Sequence, residues 1–163
     1  MGQKEGEMSK SLAAGDKAPE FSLPDHNGKT VTLHSFAGKA LVLYFYPKDD
    51  TSGCTKEAID FHAHAKAFAK GGAAILGVSP DSPASHAKFR AKHDIGLPLA
   101  SDENKTMLEA YGVWVEKSMY GRKYMGVERA TFLIKPDGEI AAIWRKVKVP
   151  GHAEAVLKAA QEL

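Results

Sequence analysis

The most reactive group in this sequence is a single thiol. Cys54 is the only cysteine among 163 residues, so it cannot form an intramolecular disulfide, and its thiolate is a nucleophile open to oxidation. Its setting decides between that chemistry and inert packing, since free cysteines are often simply buried. Residues 41–46 are apolar and rich in β-formers, Pro47 ends them, and a polar loop follows. Beyond the loop Ala58, Phe61, Ala65 and Phe68 recur at spacings of three and four, which predicts a helix over 55–70 with one buried stripe. The sulfur therefore falls in the first turn of that helix. Unpaired N–H groups and the positive end of the helix dipole favour an anion there, so the position favours the thiolate.

The flanking segments say what would hold this turn in place. After Gly71 and Gly72 comes a second apolar run, Ala73–Ser79, so strand, helix and strand form a parallel crossover of an α/β domain. Helices are expected over 82–93, with Ser82 as cap and Pro83 in the first position, over 103–111 and over 152–163. Apolar runs at 130–135 and 139–145, joined by Pro136, Asp137 and Gly138, fit an antiparallel hairpin. Extra strands are expected in front, near 31–33. A crossover followed by a hairpin and a terminal helix resembles the thioredoxin fold, which implies a central mixed sheet flanked by helices. Residues 1–14 read as a loose polar tail and residues 15–163 as one domain.

Composition argues against several other classes. Hydrophobic residues make up 44% and charged residues 26% of the chain, near globular averages, so neither disorder nor a membrane protein is favoured. A net charge of +2 is too slight for a nucleic-acid surface, and the densest basic cluster, Arg145, Lys146 and Lys148, reads as the solvated end of a strand. A free thiol suits a reducing compartment, with the cytoplasm as default. No signal peptide or membrane anchor is expected from residues 1–15, and Gly6 stands where a myristoylation motif needs Ser or Thr. His62 and His64 are two apart, point to different helix faces and lack metal-ligand spacing, so no metal is expected. Gly38-Lys39-Ala40 lacks the upstream glycine of a phosphate loop, and no cofactor is implied.

Around the thiol the residues read Pro47-Lys48-Asp49-Asp50-Thr51-Ser52-Gly53-Cys54. Pro, three residues, Thr, two residues, Cys resembles the active-site motif of the peroxiredoxins, and it falls on a strand-to-helix loop. Leu43-Tyr44-Phe45-Tyr46, Thr55-Lys56-Glu57-Ala58, Gly77-Val78-Ser79, Tyr111-Gly112-Val113-Trp114 and Arg129-Ala130-Thr131-Phe132-Leu133-Ile134 are similar, in order and spacing, to the bacterioferritin-comigratory-protein or peroxiredoxin Q class. The resemblance runs from about Gly15 to the C-terminus.

What it implies is a thiol-dependent peroxidase acting on hydrogen peroxide and organic hydroperoxides. Cys54 would attack the terminal peroxide oxygen as thiolate and become a sulfenic acid. Thr51 would orient the substrate oxygens, and it reads equally as a helix cap. Pro47 would shield the sulfur from water, a role compatible with simply ending the strand. Arg129, at the start of the hairpin's first strand, would stabilise the thiolate and the charge developing on the peroxide. Glu57 and Gly53 take supporting places, although a glutamate in a first helical turn is stabilising for ordinary reasons too. Trp114 reads as a core aromatic.

Many relatives of this class carry a resolving cysteine five residues after the peroxidatic one, where this chain has Ile59. Others place it on the following helix, where Ser85, His86 and Ala87 stand; Ser52 also replaces a proline common in the loop. The implied cycle is of a one-cysteine type, recycled by an external thiol such as thioredoxin, glutaredoxin or glutathione, in a monomer or weak homodimer. A non-enzymatic peroxide sensor or holdase-like interaction protein is the alternative class. A thiol–disulfide oxidoreductase would need a second cysteine where Glu57 stands.

Overall fold

Six successive buried residues, Ala40–Phe45, form the central strand, because side chains alternate between faces and both faces here are covered. In the computed structural model, which describes residues 11–163, the order begins with β1 (Ser22–Pro24), β2 (Thr30–Thr32), a 3-10 turn (Leu33–Phe36) and β3 (Ala40–Phe45). Then come α1 (Ser52–Ala63), α2 (Ala65–Lys70), β4 (Ala73–Ser79), α3 (Pro83–His93), β5 (Leu99–Ser101) and α4 (Thr106–Ala110). The chain ends with β6 (Trp114–Met119), β7 (Arg122–Val127), β8 (Ala130–Ile134), β9 (Ile140–Trp144) and α5 (His152–Gln161).

Five strands make the main sheet in the order β5-β4-β3-β8-β9, while β1 with β2 and β6 with β7 are separate two-stranded pieces. β3 pairs in parallel with β4 and antiparallel with β8, so the sheet is mixed and the fold is the expected thioredoxin-like α/β one. Leu41, Leu43 and Phe45 face a core shared with Leu76, Val78, Tyr111 and Phe132. Val42, Tyr44 and Tyr46 face the other, shared with Cys54, Phe61, Phe68 and Phe89. Each such large apolar side chain contributes about 1.5–3 kcal/mol by its burial. Gly77, paired with Tyr44, must lack a side chain: a Cβ there would come within 2.8 Å of both Tyr44 Cζ and Leu99 Cδ2.

Several boundaries differ from the sequence expectation. The helix expected over 55–70 starts at Ser52 and breaks at His64, whose N–H bonds back to Phe61 O in a tighter turn. The helix expected over 103–111 shrinks to α4, because the Asp102 carboxylate takes the Leu108 N–H at 2.7 Å and Lys105 adopts a φ of 63° just before it. β5 and the β6–β7 hairpin were not expected. Glu116, Lys117, Ser118, Arg122 and Lys123 dilute any apolar alternation in the hairpin, and its remaining signal is the left-handed pair Tyr120-Gly121 at its turn. Trp114 opens β6 and is half-buried against the edge of the first core.

Of the expected tail, residues 1–10 lie outside the described residues. The chain is joined to the body at Gly15, whose N–H bonds Ile140 O at 2.8 Å, and at Ala18, whose N–H bonds Gly138 O at 2.9 Å. Among the described residues no helix is long and apolar enough to cross a membrane.

Candidate active site

The register between β3 and β8 assembles the site. Phe45, the last residue of β3, pairs with Ala130, the first of β8. The strands run in opposite directions, so Arg129 lies beside the chain as it leaves β3, where a half-buried Pro47 turns it into the loop before α1. That turn needs one left-handed residue, Asp50 at φ 60°, a conformation aspartate tolerates better than most. Thr51, with extended dihedrals, is the N-cap residue of α1.

Cys54 is the third residue of α1 and only 2% exposed. Arg129 Nη2 donates to its Sγ at 3.3 Å, and Nη1 donates to Glu57 Oε1 at 2.6 Å. One guanidinium thus serves two side chains one helical turn apart on the same face. Gly53 permits the approach, since a Cβ there would stand 3.3 Å from Nη2. The Thr51 hydroxyl does not cap the helix; it donates to Lys48 O at 2.8 Å, and among the described residues no side chain caps the first-turn N–H groups. The turn is left open to an anion. Cys54, Gly53, Glu57 and Arg129 therefore form one cluster, while Thr51 is exposed at its rim and Ile59 is exposed on α1.

Two forces oppose each other at Glu57. Its side chain is buried, which pushes the carboxyl up to about 7, against the downward pull of Arg129. Burial wins because Oε2 has no partner. The folded protein then keeps this proton where the unfolded chain has lost it, so stability declines as pH rises from about 4.5 to about 7. The decline amounts to about 3 kcal/mol. Denaturant melts across that window should show it in the parent and not in Glu57→Gln.

His152, at the start of α5, feels the charge of Arg129. Its Nε2 is 2.8 Å from Thr131 Oγ1, its ring packs against Phe61 and Trp144, and burial, with Arg129 adding to it, lowers its pKa to about 4. The ring is therefore neutral at ordinary pH.

A second network, which sequence reasoning missed, fastens the loop to α3. Tyr46 Oη donates to Asp49 Oδ1 at 2.6 Å; Ser85 Oγ and His86 Nδ1 meet Oδ2 at 2.8 and 2.7 Å. His86 Nε2 faces Ala100 O at 3.0 Å, and the Asp49 N–H donates to Asp81 Oδ2 at 2.8 Å. Ligand-type atoms of Asp49, Asp81 and His86 lie within 4.8 Å of one another, a gathering these hydrogen bonds account for. Asp50, on the surface, pairs with Lys92 and His93 at 2.7 Å each, and those bonds hold its carboxyl below the usual range. Neither His62 nor His64 takes part; His62 Nδ1 accepts the Gly96 N–H at 3.1 Å. Asp49→Ala would leave Tyr46, Ser85 and His86 without their buried acceptor. Urea unfolding should show a loss of about 3 kcal/mol.

A thiol so placed can give two electrons to a peroxide held at the helix terminus, and the class is that of a thioredoxin-fold thiol peroxidase. The family model described as AhpC/TSA matches residues 14–143. The peroxiredoxin Bcp of Xanthomonas campestris is 51% identical over 144 residues, 87% of this chain and 90% of that protein. A putative peroxiredoxin of Coxiella burnetii is 47% identical over 147 residues, 90% of this chain and 97% of its own. Among solved structures, the X. campestris bacterioferritin comigratory protein has a TM-score of 0.84 at 48% identity, covering 87% of this chain and 90% of that one. A cysteine-to-serine mutant of Xylella fastidiosa PrxQ has a TM-score of 0.89 at 39% identity, covering 94% and 98%. The chain belongs to the AhpC/TSA family, as a peroxiredoxin of the bacterioferritin-comigratory-protein or Q class.

Proposed function

We propose that this peroxiredoxin reduces hydrogen peroxide and organic hydroperoxides through a sulfenic acid on Cys54, in a one-cysteine cycle. The observation that carries this reading is the Arg129 Nη2 to Cys54 Sγ contact at 3.3 Å, in an uncapped first helical turn. The thiolate attacks the terminal peroxide oxygen, the O–O bond breaks, sulfur is oxidised, and the leaving oxygen takes a proton to become water or alcohol. Arg129 and the first-turn N–H groups stabilise the charge that moves from sulfur to oxygen. The Thr51 hydroxyl donates its hydrogen bond to Lys48 O, which leaves its oxygen free to accept from the hydroperoxide O–H. Pro47 walls the sulfur from bulk water. The X. campestris relative is described for alkyl peroxide reduction, which supports organic hydroperoxides as substrates here.

With one cysteine, the second half of the cycle needs a thiol from elsewhere. Thioredoxin, glutaredoxin or glutathione would condense with the sulfenic acid, releasing water, and a second thiol would free Cys54. A free thiol of this kind belongs in the reducing cytoplasm, in a monomer or weak homodimer. Mass spectrometry of Cys54 after one equivalent of peroxide, with and without each thiol, tests the cycle. One added oxygen that a particular thiol then removes is the expected result. Peroxide consumed while Cys54 stays unmodified would overturn it.

A further inference from the structure

Arg129 is one cation shared by two buried acids. It reaches Cys54 Sγ at 3.3 Å and Glu57 Oε1 at 2.6 Å, so with both acids ionised the cluster holds an unbalanced negative charge, and with one proton between them it is neutral. Among the described residues no second cationic side chain acts on Glu57, and the open first-turn N–H groups of α1 favour the charge on Cys54. On α1, Asp60 adds negative charge, while Lys56 is exposed and pairs with Asp60 at 3.0 Å. His152 on α5 is neutral, and Asp49 in the loop is committed to its own hydrogen bonds.

Glu57 is built to be the holder. Its Oε2 is buried without a partner, and so is the hydroxyl of Tyr44 on β3. The two groups are not hydrogen-bonded to one another, so Oε2 has no donor to satisfy it as a carboxylate, and the protonated form is the one that burial favours. A carboxyl pushed up to about 7 agrees with this placement.

We infer that Glu57 holds the proton displaced from Cys54 and returns it to the oxygen that leaves the peroxide. This rests on the peroxidase reading of Cys54. First, the Cys54 thiol and the Glu57 carboxylate become thiolate and carboxylic acid. The thiolate then attacks the terminal oxygen, the O–O electron pair goes to the leaving alkoxide or hydroxide, and the Glu57 proton converts that to alcohol or water. The sum is thiol plus hydroperoxide giving sulfenic acid plus alcohol or water. Sulfur is then neutral, and Arg129 pairs with the Glu57 carboxylate alone.

Infrared difference spectra of the full chain at neutral pH, before and after one equivalent of hydrogen peroxide, test this directly. Loss of a carboxylic-acid band and gain of a carboxylate band are expected in the parent, and neither in Glu57→Gln nor in Cys54→Ser. Mass spectra of the same samples separate the two readings. Oxidised Cys54 without a carboxyl change overturns the proton-holding inference alone; unoxidised Cys54 overturns both. Glu57→Gln keeps an acceptor for Arg129, so if Glu57 only positions the guanidinium, the variant's oxidation rate and its pH profile stay as in the parent, which also overturns the inference. The expected result is oxidation slowed about a hundredfold, with the limb near pH 7 gone from the rate profile.

Discussion

Cys54→Ser should lower peroxide consumption, in the presence of excess thiol, to the rate of peroxide and thiol mixed without protein. The change removes the only sulfur nucleophile of the chain that can exist as an anion. A serine hydroxyl in the same place remains protonated and is not oxidised by peroxide, so the arginine and the helix terminus have no nucleophile to activate. The fold should survive. Oxygen for sulfur is a small change at a site only 2% exposed, and a hydroxyl can still accept from Arg129. Circular dichroism should match the parent while turnover is lost. A serine variant retaining more than about a hundredth of parent activity would refute the assignment, because removing an obligatory nucleophile costs far more than that.

Arg129→Ala should slow Cys54 oxidation by about 10²–10³-fold, the effect of deleting one donor aimed at developing charge. It should also change stability in a pH-dependent way. Glu57 loses its one side-chain hydrogen-bond partner among the described residues, and a buried carboxylate left unpaired costs about 3–5 kcal/mol. The group avoids that cost while it keeps its proton, so the variant's deficit should be small in mild acid and grow above about pH 7. Arg129→Lys separates the two effects. An ammonium can neutralise Glu57 yet cannot fork to two partners, so lysine should restore more stability than rate. Stopped-flow oxidation and urea melts at two pH values measure both. An alanine variant oxidised within about threefold of the parent rate would show that Arg129 is a bystander.

The parts of the site legible in the sequence were those set by local pattern and strand order. An apolar run ended by Pro47 and a helical stripe place Cys54 in a first turn, and antiparallel pairing of β3 with β8 brings Arg129 to it. Glu57 stood between two readings because sequence does not report burial; the structure places it under Arg129, away from water. Thr51 read as a substrate-orienting hydroxyl or a helix cap, and only the folded loop shows that hydroxyl donating to Lys48 O instead of capping the helix. Asp49 gave no signal at all. It reads as an ordinary loop residue, and Ser85, His86 and Asp81 reach it from far along the chain. The β6–β7 hairpin was hidden for a different reason: away from Trp114 and Val127 its strands are largely exposed and carry no apolar period to detect.

A lone and almost fully covered sulfur gives the chain a built-in clock. A bulky thiol reagent has one atom to label, and at 2% exposure it reaches that atom only when the surrounding structure parts. The speed of labelling, followed against temperature or salt, therefore times the opening of the active site without any added probe.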